Sequence, residues 1–177
     1  TYLAAAGWTD VDGDGIMEKQ TSGGSYEQLD IKIITYEEPD YPSRQDAATL
    51  IAEQLSQVGF NVTIAVMEQS ELIKTMKSGD YDLALVGYYL SMAPDYTFML
   101  GSDDDSNLNG YSSVQMDAAL NDALTSVAES DFQSAIDHVQ MIVAQDLPVL
   151  SLYFRGGSLV SYLDMSSLDG LSELNTY

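Results

Sequence analysis

Between residues 29 and 87 the chain switches repeatedly between two hydrophobic periods, and that alternation limits the folds open to it more than any other feature. Residues 29–36 alternate apolar and polar and are rich in β-branched side chains, which predicts a strand. After Pro42, Ser43 stands where it would cap a helix, with Asp46 three residues on to answer the cap's backbone N–H. Ala48, Ile51, Ala52, Leu55 and Val58 then recur at helical spacing, and Gly59 stands where a left-handed stop belongs. Residues 60–66 predict a second strand. Ser70 opens a short helix carrying Leu72, Ile73 and Met76, which Gly79 closes. Leu83-Ala84-Leu85-Val86 is a continuous apolar run of the kind found in strands covered on both faces. A β-α-β-α-β series of this kind predicts an α/β fold: a mixed sheet with parallel pairs, right-handed crossovers and flanking helices.

The remainder of the chain is more helical. Residues 93–111 carry Pro94, Gly101, Asp103-Asp104-Asp105, Asn107, Asn109 and Gly110, loop chemistry around a short helix at 96–100. One helix is predicted from the stripe Met116, Leu120, Ala123, Leu124 and Val127. Another starts at Ser130 with Gln133 as its box partner and turns Phe132, Ala135, Ile136, Val139, Ile142 and Val143 inward. Pro148 opens a predicted strand through Phe154, Arg155-Gly156-Gly157 a turn, and residues 158–161 a returning partner. The 177 residues, 45% of them hydrophobic, suffice for one buried core, so residues 1–177 are read as a single domain. Residues 1–28 form its entry: the tail of a helix at Tyr2 to Ala6, then an Asp/Gly-rich turn leading into the first strand. A chain that opens on a helix tail points to a piece of a longer precursor.

Charge removes several classes of function. Six Lys and Arg against 28 Asp and Glu leave a net charge of −22. A field of that sign repels nucleic-acid phosphates and anionic lipid and gathers cations. There is no cysteine, one histidine, and no apolar run of membrane-spanning length. Nucleophilic cysteine chemistry and a histidine-based metal cluster are thereby excluded. No glycine-rich phosphate loop follows a strand. A carboxylate-dyad hydrolase stays open in principle, but no two carboxylates stand out from the rest.

The turn at residues 10–18 is the one concentrated chemical motif. Asp10, Asp12 and Asp14 alternate, Gly15 follows at the sixth position, and Ile16 and Glu18 come next. Carboxylates at every second position of a tight turn converge on one point, as in calcium loops, with Ile16 offering its carbonyl and Glu18 a further carboxylate. Position twelve of such a loop would be Thr21 instead of glutamate. A solvated turn in which Asp and Gly supply only turn geometry explains the same residues. Both readings stand at this point.

The motif also begins a family resemblance. Ala5-Ala6-Gly7-Trp8 with residues 10–19 resembles the opening of the second lobe in peptide/nickel-type (family 5) extracellular solute-binding proteins of ABC importers. Further segments follow in the family's order: Ala52-Glu53-Gln54-Leu55 with Val58-Gly59-Phe60-Asn61-Val62, Tyr81-Asp82-Leu83 with Gly87-Tyr88, Pro94-Asp95, Asn109-Gly110-Tyr111-Ser112, Met116-Asp117, and the closing stretch from Pro148 to Gly157. The resemblance implies the second, C-terminal lobe of a two-lobed, extracytoplasmic receptor, either a cell-surface lipoprotein or a periplasmic protein. Its cargo, an oligopeptide or another small solute, would lie between this lobe and the N-terminal lobe of the same precursor, and ABC permease subunits would take it over. No nucleic-acid partner and no required cofactor follow; calcium is the one cofactor left open.

The resemblance also implies a ligand-facing segment, Gly87 to Ser91, beyond the carboxyl end of the apolar strand. Tyr88 occupies the family's tryptophan position and Tyr89 follows it; alternation turns one of the two inward. Ser91 and Ala93 replace acidic residues of the family, so the usual anchor for a peptide's α-ammonium is missing there, and Asp95 is the candidate substitute. Asp103 to Asp105 read as a solvated run, His138 as exposed, and Arg155 as bracing its turn. Three functions from different classes follow: a solute receptor, a calcium-stabilised interaction module of a secreted protein, and the carboxylate hydrolase. The first accounts for most of the chain.

Overall fold

A computed structural model describes residues 2–38, 42–90 and 95–154. Ser91, Ala93 and Pro94, the Arg155 turn and the returning segment 158–161 lie outside the described residues. The chain divides into two compact units, Thr1–Gly87 and Tyr88–Tyr177.

The first unit has a mixed α/β architecture. After the one-turn helix α1 (Tyr2–Ala5) comes a small antiparallel hairpin, β1 (Glu18–Gln20) with β2 (Tyr26–Gln28). The three-stranded sheet follows: β3 (Asp30–Tyr36), β4 (Asn61–Met67) and β5 (Leu83–Leu85), in the order β4-β3-β5 and parallel throughout. Helices α2 (Ser43–Ser56) and α3 (Gln69–Ser78) connect the strands. The core sits on β3, where Ile33, Ile34 and Thr35 are fully buried; Ala48 of α2 and Leu72 and Met76 of α3 are the buried apolar residues of the two helices. Each large apolar side chain buried there contributes about 1.5–3 kcal/mol. Thr35 keeps its hydroxyl satisfied by donating to the Leu85 carbonyl at 2.9 Å.

Three expectations for this unit change. Ser43 does not cap α2: Pro42 already has helical dihedrals (φ −68°, ψ −7°), so Ser43 falls inside the first turn, where its hydroxyl cannot reach back to the orphan N–H groups. The run at residues 83–86 is not covered on both faces: Leu83 is 43% exposed, and β5, paired only with β3 among the described residues, is an edge strand. The β1–β2 hairpin is an addition. Its strands, Glu-Lys-Gln and Tyr-Glu-Gln, have no apolar alternation to announce them.

The second unit is helical: α4 (Thr97–Leu100), α5 (Val114–Thr125) and α6 (Glu129–Asp146). Leu100, Met116, Ala119, Leu120, Val139 and Ile142 form its core, with Tyr96, Met99, Tyr111, Val143 and Val149 against it. Leu124 and Val127 are exposed, so the buried stripe of α5 runs through Ala119 instead. Helix α6 begins one residue before Ser130, after an extended Ala128, and Gln133 donates to the Glu129 carboxylate instead of closing a box on Ser130. The working cap belongs to α5, where the Ser113 hydroxyl accepts the Met116 N–H. Residues 148–154 form no ladder among the described residues, and Leu150 and Phe154 project into solvent. The predicted partner strand for that segment falls outside the described residues. Among the described residues no helix is long and apolar enough to cross a membrane.

Candidate functional site

The segment beyond β5 carries the predicted ligand-facing residues. Tyr89 is 98% exposed, while the neighbouring Tyr88 packs its ring on Phe98 with centroids 5.5 Å apart and planes tilted by 58°. Both tyrosines are exposed, Tyr88 at 36% with its ring against Phe98 and Tyr89 almost fully, and the segment beyond Leu85 is not strand, so the expected alternation of one inward and one outward ring is not seen. An exposed phenol ring offers a flat apolar face and one hydrogen bond to a solute. Asp95 is exposed too, but one carboxylate oxygen is occupied: Oδ1 accepts both the backbone N–H (2.9 Å) and the hydroxyl of Thr97. These two hydrogen bonds, the hydroxyl first, hold the Asp95 carboxyl below its ordinary value, so it is a fixed anion at neutral pH. Asp95 thus opens helix α4 as well as carrying charge. Ser91 lies outside the described residues.

A second group, at the carboxyl end of β3 in the first unit, was not legible in the sequence. Arg44, from the first turn of α2, is only 6% exposed; its Nη1 donates to Glu38 Oε2 at 2.6 Å, and its guanidinium lies 4.0 Å from the centroid of the Tyr36 ring. Gly87 passes so close that a Cβ there would stand 2.7 Å from Arg44 Nη2. The guanidinium therefore props the backbone that leads directly into Tyr88. One signal was available: a cation in the first turn of a helix opposes the helix dipole, so such an arginine needs a tertiary partner.

The aspartate turn forms a third group. Thr9 and Glu18 close it as an antiparallel bridge, each accepting the other's N–H (2.9 and 2.8 Å). Inside the turn Asp10 accepts from the Gly13 and Gly15 N–H groups (2.7 and 3.1 Å), both glycines having positive φ. Carboxylate oxygens of Asp10, Asp12 and Glu18 all lie within 4.8 Å of one another. Asp14 stands outside that group and accepts the Ile16 N–H at 2.8 Å. Thr21, the twelfth position, is spent on the hairpin turn, bonding to Ser25. Glu18 is only 6% exposed; its Oε2 accepts the Val11 N–H at 2.8 Å, and its Oε1 is buried with no hydrogen-bond partner among the described residues.

Hollows in the second unit lie elsewhere. One lies between α5 and α6 and includes Asp122, Asp131 and the exposed His138; the other lies beside α4 at Asp103, Asp104 and Asp117. In that unit Tyr111 donates to Asp146 at 2.6 Å. Burial first, then that hydrogen bond, keeps the Tyr111 phenol above its ordinary value.

Comparison with known proteins identifies what these elements belong to. The chain is 29% identical over 157 residues to the oligopeptide-binding protein AppA of Bacillus subtilis (strain 168), covering 86% of this chain and 28% of that protein. The solved structure of AppA with a nonapeptide superposes with a TM-score of 0.67 at 27% identity, covering 82% of this chain and 29% of that one. The fold also matches an oligopeptide-binding protein of Thermus thermophilus, solved with a pentapeptide, with a TM-score of 0.73 at 20% identity, covering 86% of this chain and 28% of that one. A probable deoxycholate-binding periplasmic protein of Escherichia coli (strain K12), YgiS, is 25% identical over 112 residues, 62% of this chain and 21% of that protein. The chain thus spans under a third of the length of these relatives. Residues 1–110 match the model of the middle region of bacterial extracellular solute-binding proteins, family 5, and the chain belongs to that family.

Proposed function

We propose that this chain is part of the second lobe of an extracytoplasmic receptor that captures oligopeptides for an ABC importer. The cargo is enclosed between this lobe and an N-terminal lobe of the same precursor and handed to membrane permease subunits when the lobes open. The similarity to AppA over 86% of the chain carries the reading. The exposed face of Tyr89 supports it, since a solvent-facing aromatic just beyond the carboxyl end of a parallel strand suits ligand contact. Within the segment Tyr88, also exposed, stands beside Tyr89, Ser91 supplies a hydroxyl, and Asp95 supplies the negative charge for a peptide ammonium. The chain performs no catalysis in this role. Nothing in the comparisons supports the interaction-module alternative.

Isothermal titration of the full-length receptor with oligopeptides tests the reading. Tyr89→Ala is expected to weaken binding about tenfold, or about 1.4 kcal/mol, and to leave the melting temperature unchanged. The 177-residue chain alone is expected to bind the same peptides poorly, because it supplies one wall of the enclosure. Sub-micromolar binding by that chain, or full affinity in the Tyr89→Ala receptor, overturns the proposal.

A further inference from the structure

We propose that Asp10, Asp12 and Glu18 form a site for a hard divalent cation, calcium by size and donor type. The inference does not depend on peptide capture. Its decisive observation is Glu18. A carboxylate that is only 6% exposed ordinarily has every oxygen satisfied, yet Oε1 has no hydrogen-bond partner among the described residues. Oxygens of Asp10 and Asp12 converge on the same carboxylate, all within 4.8 Å. No lysine or arginine among the described residues forms an ion pair with any of the three. Three carboxylates gathered in this way, one of them desolvated and with an orphaned oxygen, are unfavourable without a counter-ion.

The dimensions fit. Two oxygens in one coordination sphere stand at most twice the metal–oxygen distance apart, about 4.6–5.2 Å for calcium, and the separations in this group do not exceed 4.8 Å. The donors are all oxygens, as calcium prefers, and no soft ligand is present to select a transition metal. The set also differs from a standard calcium loop. Glu18, brought back by the Thr9 bridge, takes the part of the absent twelfth-position glutamate, and Asp14 lies outside the group.

A cation here would act on the stability of the first unit. Met17, next to Glu18, donates to the Gly59 carbonyl at the α2–β4 junction and accepts from Leu29 at the entry to β3, both at 2.8 Å. Holding Glu18 in place therefore holds the point at which the turn is tied into the sheet.

The test is calorimetric titration of the chelator-stripped chain with calcium chloride and, separately, magnesium chloride, with melting curves at each concentration. One calcium is expected at a Kd of about 10⁻⁴–10⁻³ M, with magnesium weaker. At about tenfold excess over Kd the melting temperature is expected to rise by about 3–6 °C. Glu18→Gln keeps the side chain's shape but removes its charge, and is expected to weaken calcium at least tenfold. Asp12→Asn, at an exposed position, is expected to do the same and carries the test if Glu18→Gln does not fold. Asp103→Asn with Asp105→Asn controls for diffuse attraction to a chain of net charge −22 and is expected to leave binding intact. No heat and no melting shift at about 10 mM calcium, undiminished binding in both Glu18→Gln and Asp12→Asn, or an equal loss in the remote control each overturns the site.

Discussion

Arg44 and Glu18 are equally buried, each 6% exposed, and their surroundings treat them oppositely. Arg44 is answered from within the chain: Glu38 neutralises it, the Tyr36 ring lies under its plane, and the close Gly87 backbone leaves no room for water on that side. Glu18 has one oxygen answered by a backbone N–H and the other by nothing, with two more carboxylates beside it. A buried charge stays charged at acceptable cost only when paired and hydrogen-bonded. The charge of Arg44 is therefore answered within the chain, whereas one buried oxygen of Glu18 is left unanswered among the described residues.

The largest expected effect separates these two regions. Arg44→Met removes the guanidinium that pairs with Glu38 and stacks on Tyr36. Loss of one partner from a buried pair costs about 3–5 kcal/mol. Glu38 is partly solvated, so about 2–4 kcal/mol is expected here, read as a lowered denaturation midpoint. Glu18→Gln in metal-free buffer is expected to cost nothing or to stabilise slightly, because it removes one of three crowded negative charges. If both substitutions destabilise alike without metal, Glu18 is as well served by the chain as Arg44, and the contrast fails.

A smaller effect examines how the Glu18 region is anchored. Gly59 has φ +101°, and a Cβ there would collide with Met17 Cγ. Gly59→Ala is expected to cost about 2 kcal/mol, part from the positive φ and part from the collision. In a Met17→Ala background the collision disappears and only the backbone strain remains, so the penalty is expected to fall by about 1 kcal/mol in a double-mutant cycle. An unchanged penalty would show that Met17 moves aside freely and that the turn is not tied to the α2–β4 junction through this contact.

What the sequence revealed divides along the same physical line. The alternating periods of residues 29–87 announce the parallel β-α-β-α-β unit, because strand and helix patterns there come from burying Ile33, Ile34, Ala48, Leu72 and Met76 in one core. The helix starts expected at Ser43 and Ser130 differ from the observed ones by about a residue, since a capping serine is recognised by its neighbours whereas the real boundary follows the dihedrals of Pro42 and Ala128. The β1–β2 hairpin carries no apolar signal and could not be read locally. At the candidate sites, Asp10, Asp12 and Glu18 were visible as residue types, but that Asp14 leaves the set and Glu18 returns to it depends on the Thr9 bridge. The place of Arg44 in a first helical turn hints at a tertiary partner but names none, because Tyr36, Glu38 and Gly87 are brought to it only by the folded sheet.

The smallest expected effect sets the scale for the others. Lys32 and Asp80 form an ion pair of 2.7 Å, nearly as short as the Arg44–Glu38 pair, but both side chains are open to water, at 37% and 75% exposure. Water screens the attraction, and ordering two solvated side chains costs entropy, so exposed pairs are worth about 0.2–1 kcal/mol. Asp80→Asn is therefore expected to change stability by less than about 0.5 kcal/mol, and less still at high salt. Near-identical distances would then give effects several-fold apart, and burial would be the variable that separates them. A loss at Asp80 as large as at Arg44 would make pair distance the controlling factor, and the argument from burial at Glu18 would lose its basis.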